Sequence, residues 1–151
     1  MAAFVAASSF FVSCSEEEKD PELVDGTDFT LIYTGEDQND GRNINATVGI
    51  MYSGNLLDVS AVFLAMPSSD CKFVSVTEGV FDQIKTKDAL KRNFETAVNE
   101  YGTGQIVKIY YQTEFTPSYF MVKKGSDYFL VKMVSLTIAE GNCQAKFSYK
   151  F

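Results

Sequence analysis

The side chains that most often do chemistry are sparse in this chain. Its 151 residues contain no histidine and no tryptophan. Without imidazole there is no Ser-His-Asp or Cys-His catalysis, no His-based zinc site and no bis-His haem ligation. Three cysteines remain: Cys14, Cys71 and Cys143. Joining Cys71 to Cys143 closes a loop of about 70 residues, worth roughly 4 kcal/mol on the chain-entropy account. Two readings stand for this pair. One is a disulfide, permitted in an oxidising compartment. The other is two separate buried thiols, because Cys143 falls on the inward face of its strand. No CxxC is present, so nothing indicates a dithiol redox site.

Carboxylates and aromatics give weaker signals. "EDQNDGRN" (36–43) gathers oxygen ligands around a glycine, as calcium loops do. Counted from Glu36, however, Thr47 stands at position 12, where an EF-hand needs Glu. The loop therefore reads as solvated, and no metal site is expected. Asp70, Glu78, Glu114 and Glu140 are scattered, and no spacing selects a catalytic pair. P-loop, GxSxG and GxGxxG motifs are absent. Tyr110, Tyr111, Phe115 and Tyr119 crowd the segment around "QTEFTPSYF" and form the candidate ligand surface, a stacking platform for a sugar or flat apolar ligand. The competing reading is that strands favour aromatics and need them for a core.

These residues must be positioned by strands and one helix. "DFTLIYT" (28–34), "INATVGIMY" (44–52), "LDVSAVFLAM" (57–66) and "KFVSVT" (72–77) read as strands, with "GVF" (79–81) extending the last. The spacing of Ala89, Leu90, Phe94, Ala97, Val98 and Tyr101 then predicts an amphipathic helix over 87–101, with Thr86 at its start. Strands resume at 105–113, 118–123, 127–138 and 143–151. The strand at 127–138 is apolar on both sides: Tyr128, Leu130, Val134 and Leu136 against Phe129, Val131 and Met133. The fold class is therefore α+β, a mostly antiparallel sheet of about eight strands with one helix. One helix cannot cover both faces, so the sheet is expected to fold on itself as a sandwich or open barrel, the alternative being an apolar face kept for a partner.

Charge is distributed unevenly. The formal total is −7, yet residues 14–26 carry six carboxylates against Lys19, which leaves about −2 on residues 27–151. No Lys/Arg block supplies the footprint of a nucleic-acid binder. Residues 15–27 lack periodicity and are broken by Pro21 and Gly26, so they read as a flexible tether, with order expected from Asp28.

The N-terminal run "AAFVAASSFFVSC" has the length of a signal h-region and is too short to span a bilayer. Its end, Phe11-Val12-Ser13-Cys14, resembles the lipobox of bacterial lipoproteins, and the following "SEEEKD" resembles the acidic export tag of Bacteroidetes-type surface lipoproteins. The resemblance implies cleavage before Cys14, acylation of that cysteine, and outer-membrane placement with exposure at the cell surface. It also implies three segments: a signal peptide at 1–13, truncated ahead of its basic region; a lipidated tether at 14–27; and a domain at 28–151. "YFMVKKGSDYFLVKMVSLTIAEGNCQAKFSYKF" resembles the closing hairpins of the HmuY-like haemophore group. Haem ligation there relies on His or Met. Met51, Met66, Met121 and Met133 read better as core filler, and no cofactor is expected. The expected function is a non-enzymatic, membrane-anchored module for a protein, small-molecule or glycan ligand. The alternative is an accessory subunit of an outer-membrane complex.

Overall fold

The computed structural model describes residues 19–34, 44–52, 61–65, 71–101, 106–110, 116–139 and 142–151. Their strands are β1 (Phe29–Thr34), β2 (Ile44–Asn45), β3 (Ile50–Tyr52), β4 (Ala61–Ala65), β5 (Cys71–Val76), β6 (Ile106–Tyr110), β7 (Ser118–Lys124), β8 (Asp127–Ala139) and β9 (Asn142–Lys150). The helices are α1 (Glu78–Gln83) and α2 (Lys87–Tyr101). Five strands form one sheet in the order β1-β9-β8-β7-β5, and four form another in the order β2-β3-β4-β6. Every pairing in both sheets is antiparallel. The chain is thus α+β and mostly antiparallel, as its alternating patterns imply.

The five-stranded sheet is apolar on both faces. On one, Leu31, Phe73, Phe120, Val122, Phe129, Val131, Met133, Ala145 and Phe147 are buried together with Val48 and Ile50 from the smaller sheet's β2–β3 region. On the other, Val74, Met121 and Leu130 meet Leu90 and Phe94 of α2, with Ala97 and Val98 packed alongside. Full burial of a side chain the size of Leu90 or Phe94 contributes about 1.5–3 kcal/mol. Met121 and Met133 lie fully buried in the two cores, which is the filler role their sequence context suggests.

Four expectations need correction. First, "GVF" does not prolong β5. Thr77 caps the short helix α1, its hydroxyl accepting from Val80 N at 3.3 Å. Six residues are too few for a helical period to declare itself, so the threonine cap was the available signal. Second, 44–52 is not one strand. Val48 N donates to Asn45 Oδ1 and Gly49 N to the Asn45 carbonyl, each at 2.8 Å, closing a turn between β2 and β3. Gly49 has φ of +81°, and a Cβ there would lie 2.6 Å from Cys71 Sγ, so both backbone and space require glycine.

Third, β8 does not keep its alternation. Its register against β9 shifts between Met133 and Ser135, a bulge at Val134. One extra residue reverses the phase. Leu136 therefore joins Phe129, Val131 and Met133 instead of sharing a face with Leu130. Fourth, the ordered domain starts ahead of Asp28. Asp20 receives hydrogen bonds from the Thr86 hydroxyl and from Asp88 N, capping α2 from far along the chain. Lys87 N then bonds to the Pro21 carbonyl and Leu23 N to the Lys85 carbonyl. Val24 and Phe151 exchange two backbone hydrogen bonds of 3.0 Å, and Gly26 N bonds to the Tyr149 carbonyl. A Cβ on Gly26 would fall inside the Tyr149 ring, so glycine is what lets this segment lie flat on β9.

Two measurements check this anchoring. Asp20→Ala should cost about 1 kcal/mol, the usual worth of a cap, read as a lower urea midpoint at unchanged m. A chain starting at Lys19 should unfold at higher urea than one starting at Asp28; equal midpoints would mean that residues 19–27 add nothing.

Candidate functional site

Of the sequence-predicted aromatic surface, Tyr119 is interior. Tyr111 and Phe115 lie outside the described residues, and Tyr110 is a backbone partner of Ala61 at the end of β6. Tyr119 is buried. Its hydroxyl donates to Glu78 Oε1 at 2.6 Å, and its ring meets Phe81 at 5.0 Å between centroids. Lys132 Nζ stands 5.3 Å from the same ring. The bond to Glu78, helped by burial, pushes the Tyr119 phenol up to about 12. Tyr119 therefore locks α1 to β7 and does not present a stacking face. Glu78 is engaged in that contact, while Asp70, Glu114 and Glu140 lie outside the described residues.

The cysteine pair is also separated. Cys71 and Cys143 are both buried. Cys71 pairs with Lys124, which pairs with Asp127 at the start of β8, whereas Cys143 pairs with Ile138 near the end of that strand. At roughly 3.3 Å per residue the two sites lie on the order of 30 Å apart, with β7 and β8 between their strands. A disulfide needs Cα atoms within about 7 Å. Of the two readings left open for the pair, the sheet disfavours the bridge, because it sets Cys71 and Cys143 at opposite ends of different strands.

A second polar node joins α2 to the β7–β8 hairpin. Glu95 Oε1 accepts from the Tyr128 hydroxyl at 2.6 Å and from Lys123 Nζ at 3.0 Å. Lys123 also sits 5.1 Å from the centre of the Tyr128 ring. The Tyr128 hydrogen bond, followed by that of Lys123, lowers the Glu95 pKa. Tyr128 and Glu95 in turn raise the Lys123 pKa. Through Oε1 this carboxylate fastens α2 to the β7–β8 hairpin.

A concavity lies elsewhere, at the end of the sheet where the N-terminal segment docks. A cleft of about 520 Å³ is lined by Leu23, Leu90, Tyr128, Phe129 and Phe151, with Lys87, Asp88, Lys91 and Asp127 among its polar groups. Its aromatic wall belongs to a longer run of rings. Phe29 stacks on Phe147 at 5.0 Å, Tyr149 stands 5.8 Å from Phe129, and Phe151 stands 6.4 Å from Phe129. Lys87 Nζ lies 5.6 Å from the Phe151 ring centre. Aromatic floor and mixed-charge rim suit an amphiphilic ligand. Sequence reasoning missed Leu23 because residues 15–27 read as a leash. It missed Phe151 as a lining group because the alternation of β9 assigns it to the core.

A second groove, about 540 Å³, runs beside β5, the last strand of the larger sheet, and is lined by Val74, Val76, Val80, Arg92, Thr96 and Met121 among others. The calcium-like loop at 36–43 lies outside the described residues. Among those described, no three or more His, Cys, Asp or Glu side chains gather as metal ligands. No helix among them is long and apolar enough to cross a membrane. No protein-family model, curated protein or solved structure matches the chain.

Two titrations check the nodes. A raised phenol pKa is a stabilising contribution present below the unfolded value near 10 and lost as pH rises towards 12. Tyr119→Phe should thus remove a step near pH 12 from the tyrosine absorbance titration and flatten the alkaline fall in stability. The lowered pKa of Glu95 works in the opposite sense. Its contribution is present above the ordinary 4.5 and lost as pH falls through the lower, folded value. Glu95→Gln should flatten the acid limb of the stability curve.

Proposed function

We propose that this protein is a non-enzymatic module, held at the outer membrane through an acylated Cys14, that binds a small amphiphilic ligand in the cleft at its tethered end. The observation that carries the binding reading is the cleft's lining: Tyr128, Phe129 and Phe151 beside Lys87 and Lys91. Rings offer apolar area at little entropic cost, and the ammonium groups orient an acidic or hydroxylated head. The lipobox-like "FVSC" and the acidic run after it support the anchor. A haem-binding role gains no support from Met121 and Met133, which are enclosed in the cores. The same reading takes the two sheets as layers of a sandwich, supported by the burial of Val48 and Ile50 in the core of the larger sheet.

A second reading, an accessory subunit of an outer-membrane complex, is favoured by the groove beside β5. An edge strand flanked by an apolar groove accepts an extended segment through main-chain hydrogen bonds.

Two experiments test the main reading. Growth with a palmitate analogue should label the wild-type chain and leave Cys14→Ser unlabelled and in a different membrane fraction. A thermal-shift screen of oligosaccharides and fatty amphiphiles should give hits whose shift is lost in Phe151→Ala and Lys87→Ala. Hits indifferent to both variants, yet weakened by Val76→Ser, would move the site to the β5 groove.

A further inference from the structure

Val24 and Phe151 are the exposed large hydrophobic residues among the described residues, 56% and 42% exposed. They are not scattered. The two backbone bonds they exchange make them a directly opposed antiparallel pair, and such pairs put both side chains on the same side, about 5.5 Å apart. Lys87 leans over the Phe151 ring, and Lys150 pairs with Asp25 at 3.6 Å. The result is a small apolar knuckle with the Lys87 ammonium over its aromatic ring, while the Lys150–Asp25 pair, one residue along, faces the other way.

The position of the knuckle along the chain makes it more than an exposed pair. Five peptide units separate Cys14 from Lys19, the first described residue. A chain reaches at most about 3.6 Å per residue, so that connection spans no more than roughly 18 Å however it is arranged. A domain of this size has a radius of gyration near 14 Å, hence a width of about 35 Å. The connection is shorter than the body it holds, because Asp20 to Gly26 are fastened to α2 and β9 instead of adding length. An anchor in the bilayer therefore keeps this end of the domain closest to the lipid and holds the knuckle at high effective concentration against it.

We infer that Val24 and Phe151 form a membrane-contact patch that rests in the interface of the bilayer carrying the anchor, fixing the orientation of the domain. The inference depends on the acylated-Cys14 reading for its setting. Aliphatic and aromatic groups settle at the acyl boundary, while lysine stems lie along it and their ammonium groups stay among phosphates. Two side chains alone would bind a vesicle weakly; attached by a short chain, they need only compete with rotation of the domain. The cleft then opens beside the membrane, and ligands that partition into lipid have the shortest path to it.

The absence of native tryptophan makes the test direct. The full chain, carrying Phe151→Trp, Val24→Trp or Thr137→Trp, is coupled through Cys14 to a maleimide lipid in phosphatidylcholine vesicles with plain or brominated acyl chains. Thr137 is exposed near the far end of β8. Bromine quenching of tryptophan emission should be at least about 3-fold stronger at 151 and at 24 than at 137, as expected for side chains at the interface. Equal quenching at all three positions, or stronger quenching at 137, overturns the inference. Two independent reporter positions guard against one substitution disturbing the fold. Chemical coupling does not depend on cellular acylation. A failure of palmitate labelling would therefore sink the anchor reading alone, and a failure of quenching would sink the contact alone.

Discussion

A sheet with apolar side chains on both faces cannot stand alone in water, and that constraint organises the rest of the molecule. Phe129, Val131 and Met133 point one way from β8, while Leu130 points the other. Each face needs a cover, and the chain supplies two kinds. Helix α2 lays Leu90 and Phe94 over Val74, Met121 and Leu130. The turn before β3 brings Val48 and Ile50 over the opposite face. That turn is tight because Gly49 tolerates φ of +81° and leaves room for the Cys71 sulfur. Lys124 donates to the Ala46 carbonyl of the same turn, tying it to the end of β7.

The polar contacts follow from this layering. The two shifted carboxylate–phenol nodes sit where a helix meets the sheet: Glu78 with Tyr119 under α1, and Glu95 with Tyr128 and Lys123 under α2. Both fasten a helix to β7 or to the β7–β8 hairpin, and both use their charge on a structural partner. The cleft at the tethered end differs. Its lysines and aspartates face a concavity in which aromatic rings form one wall.

Strong periodicity made much of this architecture readable from sequence. The helix at 87–101 and the alternation of β9 follow directly from spacing, because one buried stripe or face is enough to specify each. What was hidden rests on single residues. The bulge at Val134 reverses a face without altering composition. The β2–β3 turn hangs on Asn45 and Gly49 inside a run that otherwise alternates like a strand. The ordering of residues 20–27 comes from partners more than 60 positions away, such as Asp20 with Thr86, which no local window contains. The cleft was missed for the same reason: its walls come from the segment read as a leash, the start of α2 and the last residue of the chain. The aromatic stretch that did attract notice contributes Tyr119, which is drawn inward by Glu78.

The docking of residues 20–26 also decides how the molecule bears load. Traction from the N-terminal side reaches the Asp20 cap on α2 first, then the Pro21 and Leu23 bonds, and only afterwards the rungs at Val24 and Gly26. These bonds lie in series, so they break in succession. The segment is therefore the first part of the described fold that such traction loads.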